Sequence, residues 1–589
     1  MPNLITESQE RAVKHHKGPC LCLAGPGSGK TFVITNRVVH MVKELHIPSE
    51  HILVITFTKA AAMEMEERFH KILPDEKVWF GTFHSCFYYI LKNSYTSIPN
   101  RFISTEEKQH ILREIYNEVF VQKSNIDFED TERLLSLYMN NGLSAQCMSE
   151  YANIKPDHLK EIYQKYHVAL AEYGYMDFDD LMLCTYQLFI EHAEIRARWQ
   201  KQFQYILIDE CQDMNVVQYE IIKLLAGKDK NVFMVGDDDQ SIYGFRGARV
   251  ELMQRFMEEY KPVGQIQLNI NFRSTEGIVK AGREVISQNK KRFAKKIQAD
   301  NSEKSGLIIE GFEFRQDMFE KVFEGLQKAE NKALSNCAII YRTNQELRSM
   351  AYKLRQKGIP YFSKEDSKSI FDEEWYMDVE AYLRLGLGST DRKYLLRVAN
   401  KPNRFIKREQ LVKTSRLPQS LETAIKNIHT MRPYLAIKYI WSGIGYGRWL
   451  EHETGSDTEQ WNVICDQLEE ITQEMRQFAS LEDWMEHVER DRLCQKTLQK
   501  PTTKEQTEGV YLLTMHASKG LEFDVVYLLD VNRGKVPKGA KLSEEELEEE
   551  RRLFYVAMTR ARKQLHIYYV KGTEDHILQP SVFLDPIIR

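Results

Sequence analysis

No apolar run in this 589-residue chain approaches the ~20 residues that cross a bilayer, so membrane-spanning helices are not expected. A surplus of positive charge is missing too. The net charge is -4, so any grip on a phosphate backbone must come from locally placed Lys and Arg. Nine cysteines are scattered without a C-x-x-C pair, which argues against metal ligation and fits free thiols in a reducing compartment. Cys20 and Cys22 alternate within one apolar run and read as two buried side chains on one strand face. The N-terminus, MPNLITESQE, is polar and acidic, unlike a signal peptide. The expectation is a soluble, cytoplasmic protein with no membrane partner. Internal repeats and low-complexity segments are absent as well. The acidic run Glu544–Glu550 reads as a solvated helix face, and His429, His452 and His487 as ordinary surface or packed histidines.

What the chain does have is a balanced globular composition, 42% hydrophobic and 28% charged, enough for several buried cores. Short β-branched runs recur, each followed by a polar loop and a helix-like segment: Cys20–Leu23, Ile52–Ile55, Tyr205–Ile208, Val232–Val235 and Gln265–Leu268. A second set comprises Ala338–Tyr341, Val510–Leu513, Val525–Leu529 and Leu565–Tyr569. Near-continuous apolar strands alternating with helices indicate parallel sheets covered on both faces. Two stretches with helical spacing and almost no strand signal interrupt these series, with helical runs at Glu106–Val119, Asp157–Tyr173 and Trp461–Arg476. The fold class is therefore α/β, with two parallel-sheet cores, each carrying an inserted helical domain. Residues 1–95 and 200–275 are expected to form the first core and 96–199 its insertion. Residues 276–384 and 503–589 are expected to form the second core, with 385–502 inserted.

The string Ala24-Gly25-Pro26-Gly27-Ser28-Gly29-Lys30-Thr31 follows an apolar run and precedes an amphipathic segment. Its three glycines let successive backbone N–H groups turn inward on phosphate oxygens, and the helix N-terminus adds partial positive charge. Lys30 can reach the β- and γ-phosphates, and the Thr31 hydroxyl can bind Mg²⁺. Ala24 stands where the strict pattern asks for glycine. The strand Tyr205–Ile208 ends in two acids, which suits Asp209 to the metal shell and Glu210 to the attacking water. The pair favours hydrolysis over phosphoryl transfer to a second substrate.

With these residues in place, the chain resembles the UvrD/Rep/PcrA helicases of superfamily 1, in that family's motif order from Leu4 to Leu584. Carrying the resemblance are Leu4…Gln9…Ala12-Val13, Ile55–Met65, Gly81–Ser85, Asp177–Leu181, Asp209–Asp213, Gly236–Ala248, Asn271–Ser274, Tyr341–Asn344, His516–Phe523 and Tyr555–Ala561. Cys211 replaces the usual aromatic, and Phe32 stands where relatives often carry Arg. The resemblance implies RecA-like cores, ATP and Mg²⁺ as cofactors, and single-stranded and tailed duplex DNA as the track. It implies that Gln9 reads adenine, Phe272 stacks on it and Glu522 contacts the ribose. Gln240 would sense the γ-phosphate, Arg273 lie near the hinge side, and Arg560 act as an arginine finger. The stacking residues of the grip would be Phe57, Tyr243 and Phe245. Thr82, His84, Arg246, His516 and Lys519 would touch the backbone. In the family this constellation drives 3′-to-5′ movement and unwinding. The helical insertions are candidate surfaces for a protein partner. A partner-dependent ATPase subunit of a DNA repair or anti-phage complex, and a P-loop ATPase without a track, stay open as alternatives.

Overall fold

The computed structural model describes residues 5–95, 98–99, 101–120, 128–142, 156–328, 331–363, 369–407, 419–454, 458–498, 509–539, 541–573 and 576–588. Two compact units emerge. One comprises Met1–Gly306 with Glu544–Thr559, the other Leu307–Ser543 with Arg560–Arg589. No helix among the described residues is long and apolar enough to cross a membrane.

The first unit is built on a six-stranded parallel sheet. Its strands lie in the order Trp79–Thr82, Ile52–Thr56, Tyr205–Ile208, Val232–Gly236, Cys20–Ala24, Gly264–Leu268. The central strands are buried on both faces, and their alternation assigns each residue to one of two cores. Leu21, Leu23, Leu53, Ile55, Ile206 and Ile208 face one cluster; Cys20, Cys22, Ile52, Val54 and Leu207 face the other. Cys20 and Cys22 thus share a buried face, as their spacing indicates. The first cluster continues into the helical insertion through Ile111, Leu112, Ile162 and Tyr166, so this insertion shares the core of its sheet. Its helices include Thr105–Val119 and Pro156–Tyr173, within a residue of the sequence reading.

The second unit holds a second six-stranded parallel sheet, ordered Leu307–Phe312, Ala561–Val570, Phe523–Leu528, Cys337–Tyr341, Val510–Thr514, Tyr361–Phe362. Here the insertion shares an aromatic core with the preceding helix Glu374–Gly386, which the sequence reading left in the second core: Trp375, Tyr376, Tyr446 and Trp484 are buried together. A separate cluster, including Ile339, Tyr341, Leu512 and Phe319, serves the sheet.

The unit boundary differs from the sequence reading, which starts the second core at 276. The first unit runs on to Gly306 and also takes in the helix Glu544–Met558. Ion pairs and hydrogen bonds explain this. Arg292 and Lys295 bind the acidic turn Asp237–Asp239 of the first sheet. Glu544 and Glu545 pair with Lys290 and Lys291, and Glu548 Oε1 accepts from Lys290 N at 2.6 Å. Glu549 accepts from Gly244 N at 3.0 Å. The acidic run is therefore a solvated face only in part: Glu544, Glu545 and Glu546 are exposed, whereas Glu548 is buried and helps dock the helix.

Candidate nucleotide and polynucleotide sites

The Gly-rich loop leaves the buried strand Cys20–Ala24 and feeds the helix Lys30–Lys43. That helix has no side-chain cap: Gly29 fills the N-cap in the left-handed region (φ 84°), leaving the first N–H groups directed at whatever fills the loop. Glycine is also required for space at two points. A Cβ on Gly27 (φ 65°) would lie 2.6 Å from Arg273 Cβ, and one on Gly29 would lie 2.9 Å from Gln9 Nε2. The loop is shored from both sides. Gln9 Nε2 donates to Ser28 O at 3.0 Å, while Gln9 Oε1 accepts from Thr6 N at 3.1 Å. Across the loop, Asn271 Nδ2 donates to Pro26 O at 2.8 Å and Phe272 N donates to Gly27 O at 2.9 Å. Phe32 and Phe272 expose 38% and 44% of their surface, which keeps ring faces available beside the loop.

Opposite Lys30 stands the carboxylate pair. Lys30 Nζ lies 2.9 Å from Glu210 Oε1 and 3.0 Å from Oε2. Burial pulls the ammonium down, but Glu210, Asp209 and Asp237 outweigh it and hold Lys30 above its ordinary value. Glu210 occupies the left-handed region (φ 52°, ψ 41°), unusual for a residue with a long side chain. Asp209 is buried, and its Oδ1 has no hydrogen-bond partner. Burial, then the neighbouring Glu210 charge, push Asp209 up to about 7. A buried carboxylate oxygen without a donor, next to a loop lined with N–H groups, fits a divalent cation. Thr31, at the second position of the helix, carries a hydroxyl just after the same loop.

The turn after Val232–Gly236 brings three carboxylates, Asp237, Asp238 and Asp239, within 4.8 Å of one another. A cation already sits among them. Lys295 Nζ contacts Asp237, lies 2.5 Å from Asp238 and 2.8 Å from Asp239, and Arg292 grips Asp239 through two bonds of 2.8 and 2.6 Å. Gln240 is buried in this turn, its Nε2 donating to Asp237 Oδ2 at 2.6 Å. Just beyond it, Tyr243 and Phe245 meet edge to face at 6.1 Å, with the Arg246 guanidinium 5.3 and 5.4 Å from their rings. Phe245 is 47% exposed.

The other expected contacts divide between the units. In the first, Phe57 packs against Phe83 at 5.4 Å, and Thr82 caps the helix Phe83–Lys92. His84 meets Phe178 edge-on at 5.3 Å, and burial holds its imidazole below its ordinary value. Arg273 Nη1 donates to Thr559 O at 3.3 Å. In the second unit, Arg560 is buried with Nη1 donating to Leu521 O at 3.2 Å, Glu522 pairs with Arg562, and His516 and Lys519 flank a tight turn.

Motif reading gives no role to three residues that the geometry brings forward: Asn271 under the loop, Lys295 among the acids, and Gln212, whose amide touches Glu210. Asn271 and Gln212 lie inside recognised motifs without an assigned role, while no local signal marks Lys295, whose partner Asp237 stands 58 residues earlier. The helical insertion is tied to the same region: Asn140 Nδ2 donates to Asp179 Oδ1 at 3.0 Å, and Asn140 Oδ1 accepts from Asn215 Nδ2 at 2.6 Å.

Comparison with known proteins agrees with this arrangement. Residues 5–261 match the UvrD/REP helicase N-terminal domain, and 266–439 and 413–572 match the UvrD-like helicase C-terminal domain. The chain is 31% identical to the putative ATP-dependent DNA helicase YjcD of Bacillus subtilis, over 99% of this chain and 81% of that protein. It is 32% identical to the ATP-dependent DNA helicase PcrA of the same organism, over 96% and 82% respectively. PcrA of Leuconostoc citreum is 30% identical over 96% of this chain and 82% of its own length. Motif order, the two parallel sheets and similarity over 96–99% of this chain agree: the chain belongs to the UvrD/REP helicase family.

Proposed function

We propose that this protein is an ATP-dependent DNA helicase that moves 3′-to-5′ on single-stranded DNA and unwinds the duplex ahead of it. The observation carrying the reading is the continuity between two chemistries. The Lys30–Glu210 pair of a hydrolytic phosphate loop lies one short turn, Asp237–Gln240, from an exposed aromatic platform at Tyr243–Arg246.

Lys30 is paired with Glu210. An incoming γ-phosphate competes for that ammonium and frees Glu210 to orient and deprotonate water. Asp209 and Thr31 would hold Mg²⁺, which when bound neutralises charge on the β- and γ-phosphate oxygens. Gln240 senses the γ-phosphate. Arg560 is assigned as the arginine finger, and Phe32 and Phe272 as the adenine platform. Stacking on Tyr243 and Phe245 tolerates any base, which suits a motor that reads no sequence.

The deciding experiment is ATPase activity with and without single-stranded DNA and RNA, followed by unwinding of 3′- and 5′-tailed duplexes. Strong stimulation by DNA and unwinding of the 3′-tailed substrate are expected. Hydrolysis indifferent to any polynucleotide would instead indicate a trackless P-loop ATPase. Phe245→Ala removes a stack of about 1–3 kcal/mol per base, so translocation per ATP should drop while hydrolysis continues. Unchanged stepping on single strands refutes that role.

Cation binding should depend on pH. Asp209 is raised to about 7, so the folded state holds a proton there that the unfolded chain releases near the ordinary carboxylate value. Its contribution to stability is present at low pH and is lost as pH rises towards 7. Mg²⁺ must displace that proton, so its affinity should increase through the same window, and Asp209→Asn should flatten the dependence. Calorimetric titration of Mg²⁺ at pH values about one unit either side of neutrality checks this.

A further inference from the structure

The carboxylate strand leads into Asp209-Glu210-Cys211-Gln212-Asp213, and the fourth of these residues has a fully buried side chain that reaches two places at once. Gln212 Nε2 donates to Glu210 Oε2 at 2.5 Å. Gln212 Oε1 accepts from Asp237 N at 2.9 Å, and its backbone carbonyl accepts from Ser241 Oγ at 3.0 Å. Space for the amide is made by a missing side chain: a Cβ on Gly236 would lie 2.5 Å from Gln212 Oε1. One residue therefore joins the carboxylate assigned to activate water to both ends of the turn that begins at Asp237 and runs into Tyr243 and Phe245.

We infer that Gln212 is a positioning residue that transmits occupancy of the aromatic platform to Glu210, so that polynucleotide stacking sets the orientation of the carboxylate that activates water. The inference rests on the helicase reading above. A base stacking on Phe245 shifts a turn whose N–H at Asp237 and hydroxyl at Ser241 both end on Gln212. The Gln212 amide is rigid and planar, so displacement of its oxygen is displacement of its nitrogen. Glu210 is responsive because its backbone is already in the sparsely populated left-handed region, held by its surroundings. No part of this relay needs contact between Gln212 and nucleotide or DNA.

The test separates coupling from folding and from chemistry. Gln212→Met keeps length and packing but removes both polar ends. Gln212→Glu keeps an acceptor for Asp237 N while setting a like charge against Glu210. Steady-state ATPase is measured for each with and without an oligo-dT strand, alongside KM for ATP, Kd for the strand and the thermal midpoint. The ratio of DNA-stimulated to basal kcat should fall at least about tenfold in both variants, with KM and Kd within about threefold of wild type, as expected of a group that acts only through another. Should Gln212→Met fail to fold, Gln212→Glu and the milder Ser241→Ala decide the question by the same ratio. A wild-type stimulation ratio retained in folded variants overturns the inference, even if both rates fall in parallel. If the wild-type protein itself shows no stimulation by DNA, the helicase reading fails first, and the two failures are told apart.

Discussion

Glu210→Gln should leave a folded protein that binds ATP yet hydrolyses it roughly 10²–10⁴-fold more slowly in the presence of single-stranded DNA, the range general-base catalysis contributes. The substitution is nearly isosteric, and its amide oxygen still accepts from Lys30 Nζ, which stands 3.0 Å from the native carboxylate. What disappears is basicity. Lys30→Ala should abolish turnover by a different route, through loss of phosphate binding, and so should raise the Kd for ATP where Glu210→Gln leaves it near wild type. Single-turnover and steady-state ATPase on both variants check the pair. Substantial residual turnover in Glu210→Gln rejects its role as the activating base.

Lys295→Met should destabilise the first unit by roughly 3–5 kcal/mol, the cost of stripping one partner from a buried charge cluster. Its ammonium is 2% exposed and lies among three carboxylates, of which Asp237 and Asp238 are entirely inaccessible. Those three acids raise Lys295 well above its ordinary value despite burial. Without it, Arg292 alone faces the three, and Asp237 and Asp238 repel at short range. The loss should shrink as pH falls through the carboxylate range, because protonation relieves that repulsion, and Lys295→Arg should recover part of it. Chemical unfolding at two pH values is the measurement. An unchanged midpoint at neutral pH refutes the account.

The central strands are legible in the sequence because burial on both faces makes them continuous apolar runs; Tyr205–Ile208 matches residue for residue. Most edge strands are not, although the edge strand Gly264–Leu268 is read at Gln265–Leu268. Trp79–Thr82 and Leu307–Phe312 are largely half-buried, so the apolar signal that marks their neighbours is diluted. Among the residues the motifs name, Lys30 lies 2.9 Å from Glu210, the neighbour of Asp209, since loop and strand are fixed by local geometry. Long-range partners escape: nothing near Lys295 marks it as the counterion of a turn that begins 58 residues earlier, at Asp237. Charge runs mislead for the same reason. The stretch from Glu544 to Glu550 reads as solvent-facing by composition, yet it includes the buried Glu548, because what decides exposure is the lysines and amides it meets.

Glu210 keeps an L-residue in left-handed backbone, a conformation disfavoured by roughly 1–2 kcal/mol. Glycine or asparagine at that position would relax the chain and, on the role proposed for Glu210, should silence hydrolysis by removing the base. Directed evolution for thermal tolerance and selection for turnover therefore pull this single codon in opposite directions. A heat-selected library that fixes Glu210→Gly would be recording relief of strain, with the motor lost in the process.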